Sequence, residues 1–107
     1  MRKQSRVVFI SDEIEAAFYA LDDKDPLRKA IQRAVIALRE NAFCGTQIPK
    51  KLFPKEYVRL YNIKNLWKIN LPKGWRLLYT IAGNEVEIIT AILEWRSHKE
   101  YEKLFKY

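Results

Sequence analysis

Lys68, Arg76, His98 and Tyr101 are the residues of this chain whose types suit one reaction together. Lys68 stands in Leu66–Leu71 (LWKINL), and Arg76 follows Pro72-Lys73-Gly74. His98, the only histidine, lies three residues before Tyr101 in the stretch WRSHKEYEKLF. Arginine and lysine hold a phosphodiester and stabilise the charge that its transition state gains. A histidine titrating near neutrality exchanges a proton with the attacking or leaving oxygen. A tyrosine stacks on a base or donates a hydrogen bond. The set contains neither a carboxylate pair nor a metal-binding cluster, so its chemistry calls for no metal and no cofactor. With the 2′-hydroxyl of RNA as nucleophile, it is what metal-independent RNA cleavage needs; DNA lacks that hydroxyl.

Alternating strands must position these groups. Trp67, Ile69 and Leu71 alternate with Leu66, Lys68 and Asn70, and Trp75 to Ile81 alternates again after the turn. The short turn sets Leu71 opposite Trp75 and Asn70 opposite Arg76, and directly opposed residues share a face. Trp67, Ile69, Leu71, Trp75, Leu77 and Tyr79 then point toward the helices. Lys68, Asn70, Arg76 and Leu78 occupy the other, exposed face. Gly83-Asn84 turns the chain, and Val86 to Leu93 is apolar on both faces, as in a central strand. Its end returns toward Arg76, bringing Arg96, His98 and Tyr101 close. Ser97 with Glu100 forms a capping box that opens a last short helix, on which His98 and Tyr101 share a face. Trp95 packs beneath that helix.

Upstream, Arg6 to Ile10 reads as a first strand. Ser11 and Asp12, with Glu15 three after Asp12, start a helix whose apolar stripe is Ile14, Ala17, Phe18 and Leu21. Asp22-Asp23-Lys24 closes it, and Asp25-Pro26 starts a second helix with Leu27, Ile31, Ala34, Val35 and Leu38 on one face. Two helices joined tightly make a hairpin. Ala42 to Asn65, broken by Gly45, Pro49 and Pro54, is expected as a long ordered connection with a short strand around Val58 to Ile63. The whole is α+β: a strand and helical hairpin packed on a mainly antiparallel sheet of four to five strands, with a C-terminal helix.

A chain of 107 residues suits one domain, residues 1–107, and its 13% aromatic content argues against disorder. Val86 to Leu93 is too short to span a bilayer, and the basic N-terminus lacks a signal peptide's apolar segment. One cysteine, Cys44, excludes an internal disulfide and reads as a small packing residue. The expected setting is cytoplasmic. Net charge is +7, with 20 Lys and Arg against 13 Asp and Glu, which favours a polyanionic partner. Between Pro49 and Arg76 the only acid is Glu56. Lys50, Lys51, Lys55 and Lys64 either contact RNA backbone, which needs only charge, or solubilise the surface. Asn70, Lys73, Arg96 and Lys99 are further candidate RNA contacts.

At these residues the chain resembles the RelE/ParE superfamily of type II toxin–antitoxin toxins. The resemblance covers the whole length and is most specific in LWKINLPKGWRLLYTI, similar to the family's lysine-bearing strand, glycine turn and arginine-bearing strand, and in the tail RSHKEY. It implies a ribosome-dependent endoribonuclease that cuts messenger RNA without metal and is neutralised by an antitoxin, a small acidic protein. By position, Lys68 matches the family's first lysine, Arg76 its arginine after the turn and Tyr101 its C-terminal tyrosine. Arg96 to His98 covers the late basic position. Asn70 stands where the RelE pattern has a second lysine, and the histidine resembles other ribosome-dependent branches. The resemblance thus implies that Arg76 stabilises the phosphate, Lys68 adds charge, His98 exchanges the proton and Tyr101 orients base or sugar. Two alternatives stay open: a ParE-like inhibitor of DNA gyrase, and an RNA-binding member without catalysis. The helical hairpin, with a groove beside it, is the expected antitoxin surface.

Overall fold

The two helices of the hairpin start where side chains accept the first free amides. The Ser11 hydroxyl accepts from the Ile14 amide at 3.3 Å and opens α1 (Asp12–Ala20), with Asp12, Glu13 and Glu15 complementing the first-turn dipole. The Asp25 carboxylate accepts from the Leu27 amide at 2.9 Å, and Pro26 occupies the first turn of α2 (Pro26–Glu40). The structure, a computed structural model, describes residues 4–83 and 88–105. The expected turn residue Asn84 and strand start Val86 lie outside the described residues.

Among the described residues the sheet has five strands: β1 (Arg6–Phe9), β2 (Thr46–Gln47), β3 (Trp67–Asn70), β4 (Arg76–Gly83) and β5 (Ile88–Arg96). Their order is β1-β5-β4-β3-β2, with β1 parallel to β5 and every other pairing antiparallel. The fold is therefore α+β, with β5 inside the sheet as its doubly apolar sequence requires. Asn70 opposes Arg76, and the Leu71 amide bonds the Trp75 carbonyl at 2.8 Å. The turn that sets this register carries Lys73 at φ 61° and Gly74 at φ 82°. Ahead of β3, the Asn65 side chain imitates a strand residue, bonding both the amide and the carbonyl of Ile81 at 2.7 Å.

On one face, Phe18, Ala30, Ile31, Ala34 and Leu38 of the hairpin pack on Leu71, Leu77, Tyr79 and Ile92. Trp67, Ile69 and Trp75 join this core, so the predicted helix-facing set lies where alternation put it. The Tyr79 hydroxyl accepts from the Gly45 amide at 3.0 Å and donates to the Ala42 carbonyl at 3.3 Å, tying the connection to the sheet.

The opposite face departs from expectation, because it is covered rather than exposed. Ile48, Tyr57, Ile63, Leu66, Leu78, Leu93, Tyr101 and Phe105 form a second core there. Of the strand expected around Val58 to Ile63, Val58 to Tyr61 belong instead to α3 (Lys55–Tyr61), Asn62 is its C-cap and Ile63 follows in no regular element. Tyr57 and Tyr61, four apart, share the inward face, and Asn62 ends the helix in the left-handed region at φ 50°. The β-branched residues in this stretch suggest a strand, but local propensity yields to that buried pair. The last helix, α4 (His98–Phe105), also lies on this face, held by Tyr101 and Phe105, with rings 4.6 Å apart. Full burial of each such ring is worth about 1.5–3 kcal/mol.

A bulge separates Leu78 from Tyr79, opposite Ile92 to Glu94. Two consecutive residues, Leu93 and Glu94, therefore present themselves to the second face, and Trp95 is returned to the first. Trp95 meets Phe18 of α1 at 6.5 Å rather than packing beneath α4. Strict alternation gives the wrong side for it. Cys44 is likewise misread by composition: it is exposed, not packed.

Candidate functional site

Lys68 and Arg76 stand diagonally on adjacent strands, since Lys68 opposes Leu78 and Asn70 opposes Arg76. That relation sets their Cα atoms about 7–8 Å apart on one face. Above them α4 brings Tyr101, which is buried. The Lys68 ammonium lies 5.2 Å from the Tyr101 ring centre and the Arg76 guanidinium carbon 5.6 Å from it. One ring thus serves two cations, each contact worth about 0.5–2 kcal/mol depending on desolvation. Neither cation makes a salt bridge among the described residues. Arg76 donates from Nη1 to the Trp75 carbonyl at 3.2 Å, and its Nε is buried without a partner. Two half-buried positive charges without a carboxylate counter-ion favour an anion at this surface.

Tyr101 is three residues from His98, yet the two side chains meet different surroundings. The His98 side chain is 60% exposed, and its Nε2 lies 2.6 Å from Glu102 Oε1, one helical turn on. Its Cβ rests over the turn: a methyl added at Gly74 would come within 3.1 Å of it. The capping box that places this turn is present. Glu100 Oε1 accepts from the Ser97 amide at 3.2 Å, and the Ser97 hydroxyl accepts from the Glu100 amide at 3.3 Å. Those bonds to Ser97 hold the Glu100 carboxyl below its ordinary range. Lys68, Arg76 and Tyr101 are thus brought together, while His98 sits at the rim with its imidazole on Glu102.

Arg96 opposes Arg76 across β4 and β5 but is engaged elsewhere. Its Nε donates to Glu94 at 3.0 Å, and its Nη2 lies 3.5 Å from Glu56 of α3. Glu94 also accepts a short hydrogen bond from the Tyr57 hydroxyl. Burial, reinforced by the Glu94 charge, pushes the Tyr57 phenol far above its ordinary value. This chain of contacts pins α3 to β5 and neutralises Arg96, leaving Arg76 as the uncompensated guanidinium of the pair. Sequence reasoning gave Glu94, Tyr57 and Glu102 no part in the site, although it expected Tyr57 to be buried, as it is. Glu94 had a signal, lying two residues before Arg96 on the same strand. Tyr57 had none, because it reaches Glu94 from 37 residues away.

The flanking candidates divide into two groups. Asn70, Lys73 and Lys99 are exposed: Asn70 is the cross-strand partner of Arg76, Lys73 precedes the glycine under His98, and Lys99 follows His98. Lys50, Lys51, Lys55 and Lys64 are also exposed, but three of them line a groove beside α3 that shares no residue with the Lys68–Arg76 surface. Among the described residues no His, Cys, Asp or Glu group could hold a metal ion, and no helix is long and apolar enough to cross a membrane. Comparison with protein-family models, with characterised proteins and with solved structures finds no match to this chain.

Proposed function

We propose that this protein is a metal-independent endoribonuclease, the toxin of a type II toxin–antitoxin pair, acting in the cytoplasm on messenger RNA bound to the ribosome. The observation that carries the reading is the pair of cations, Lys68 and Arg76, that have no counter-ion among the described residues and are held over one face of the sheet by the Tyr101 ring. In the reaction the 2′-oxygen attacks the adjacent phosphorus and the 5′-oxygen leaves, giving a 2′,3′-cyclic phosphate and a free 5′-hydroxyl. Arg76 and Lys68 bind the non-bridging oxygens and stabilise their added charge. His98, at the rim, takes part in moving the proton from the 2′-hydroxyl toward the leaving oxygen. The Tyr101 ring lies against both cations and positions them rather than stacking on a base, because it is buried. Asn70, Lys73 and Lys99 supply backbone contacts around this centre.

An antitoxin would dock beside the helical hairpin. Supporting this, a groove of about 640 Å³ runs between β1 and the two helices, and Tyr19 and Ile36 project there, 62% and 57% exposed. Such exposed apolar residues beside a strand edge suit an amphipathic segment.

A second reading, RNA binding without cleavage, is favoured by one contact, the engagement of His98 by Glu102. A cell-free translation reaction with message ends mapped by primer extension distinguishes them. New message ends that require ribosomes support the endoribonuclease. Retained RNA binding with intact message supports the second reading. Intact message together with inhibited gyrase supercoiling would assign the chain to gyrase inhibition instead.

A further inference from the structure

We infer that the groove beside α3 binds an acidic peptide segment of a partner protein, with an apolar residue as its anchor. The groove encloses about 470 Å³ and is ringed by Lys50, Lys55, Arg59 and Lys64. Among the described residues no acid lines it. Glu56, the nearest acid along the chain, contacts Arg96 instead. Lys50, Lys55 and Arg59 make no salt bridge among the described residues, and Lys64 touches only the Asn62 side chain, at 3.4 Å. Four cations around one opening repel one another, and an anionic ligand relieves that repulsion.

Between the cations the groove is apolar. Phe53, Val58 and Ile63 line it, and Val58 is 44% exposed in mid-helix. A nucleic-acid backbone asks for charge alone. Base stacking asks for projecting rings, whereas the one aromatic among the described lining residues, Phe53, is half-buried against the second core. Carboxylates spaced around a leucine-like side chain match both features, the apolar residue entering beside Val58 while the acids meet the rim. The groove shares no residue with the Lys68–Arg76 surface, so this inference stands whether or not the ribonuclease reading does.

Fluorescence anisotropy tests it, using a short labelled peptide with glutamates on both sides of one leucine. The same peptide with serine for leucine and a labelled oligouridylate of matched charge serve as comparisons. The leucine peptide is expected to bind at least about tenfold more tightly than either. The double variant Lys55→Gln/Arg59→Gln and, separately, Val58→Asp should each weaken it by about tenfold or more. All three positions are exposed, and circular dichroism checks that the variants fold. Absence of peptide binding would overturn the inference, as would equal binding of the leucine and serine peptides. Tighter binding of oligouridylate that is lost in the same variants would make the groove an RNA surface instead.

Discussion

The Arg76 guanidinium carbon lies 5.6 Å from the centre of the buried Tyr101 ring, which also receives the Lys68 ammonium at 5.2 Å. A residue of α4 thereby fixes two cations that belong to β3 and β4. Because the ring alone provides this, Tyr101→Phe should retain the arrangement at a cost of no more than about 1.5 kcal/mol, the size of one hydrogen bond. Tyr101→Ala should cost about 3–5 kcal/mol, from the cavity it leaves and the loss of both cation contacts. Urea denaturation of the two variants measures the difference.

Gly45 approaches the lysine-bearing strand too closely for any side chain. A methyl group there would collide with the Tyr79 hydroxyl and with the Lys68 carbonyl. Gly45→Ala is expected to destabilise the fold by about 3 kcal/mol, at the upper end of overpacking costs, and to displace the connection from β3. Thermal unfolding followed by circular dichroism reads the loss. A variant as stable as the parent would show that the Tyr79 anchor is not rigid.

The Tyr57–Glu94 contact makes stability fall in alkali. Below the unfolded tyrosine pKa of about 10, both states hold the phenolic proton and the contribution is constant. Above it, the unfolded chain releases a proton that burial and Glu94 make the folded state keep, so the free energy of unfolding falls as pH rises. The denaturation midpoint should therefore drop more steeply between about pH 9 and pH 11 in the parent than in Tyr57→Phe. Equal slopes would show that this phenol titrates normally in the fold.

Acid acts on α4 through Glu100. Its carboxyl sits below the ordinary range because of Ser97, so its contribution is present above the unfolded pKa and disappears as pH falls through the lowered folded value. The helix signal in far-ultraviolet circular dichroism should weaken over that range in the parent. In Glu100→Gln that acid-dependent change should be absent.

Much of the site was legible in the sequence because a two-residue period and a short turn fix strand register. Asn70 opposes Arg76, and the residues assigned to the helix-facing side form the first core. Ser97 and Glu100 marked the start of α4 because a capping box is a local pattern. What escaped depends on distant contacts. Tyr57 and Tyr61 earn a helix only by packing against a sheet face that the sequence shows as polar. The bulge opposite Leu78 is invisible to alternation, yet it sends Trp95 to the hairpin side and Glu94 to the α3 side. Counting types brought His98 into the reaction set, but not the Glu102 carboxylate one turn away that holds its imidazole.

The central claim is that Lys68 and Arg76 together hold a scissile phosphate, and cleavage of ribosome-bound message by single variants tests it most directly. Arg76→Ala and Lys68→Ala should fold normally, and Arg76→Ala should cleave at least about a hundredfold more slowly, the usual effect of removing one donor aimed at transition-state charge. His98→Gln should also slow cleavage, by about a hundredfold, the typical effect of removing a proton-transfer group. Cleavage that persists undiminished in Arg76→Ala, or a parent protein that leaves ribosome-bound message intact, would contradict the account.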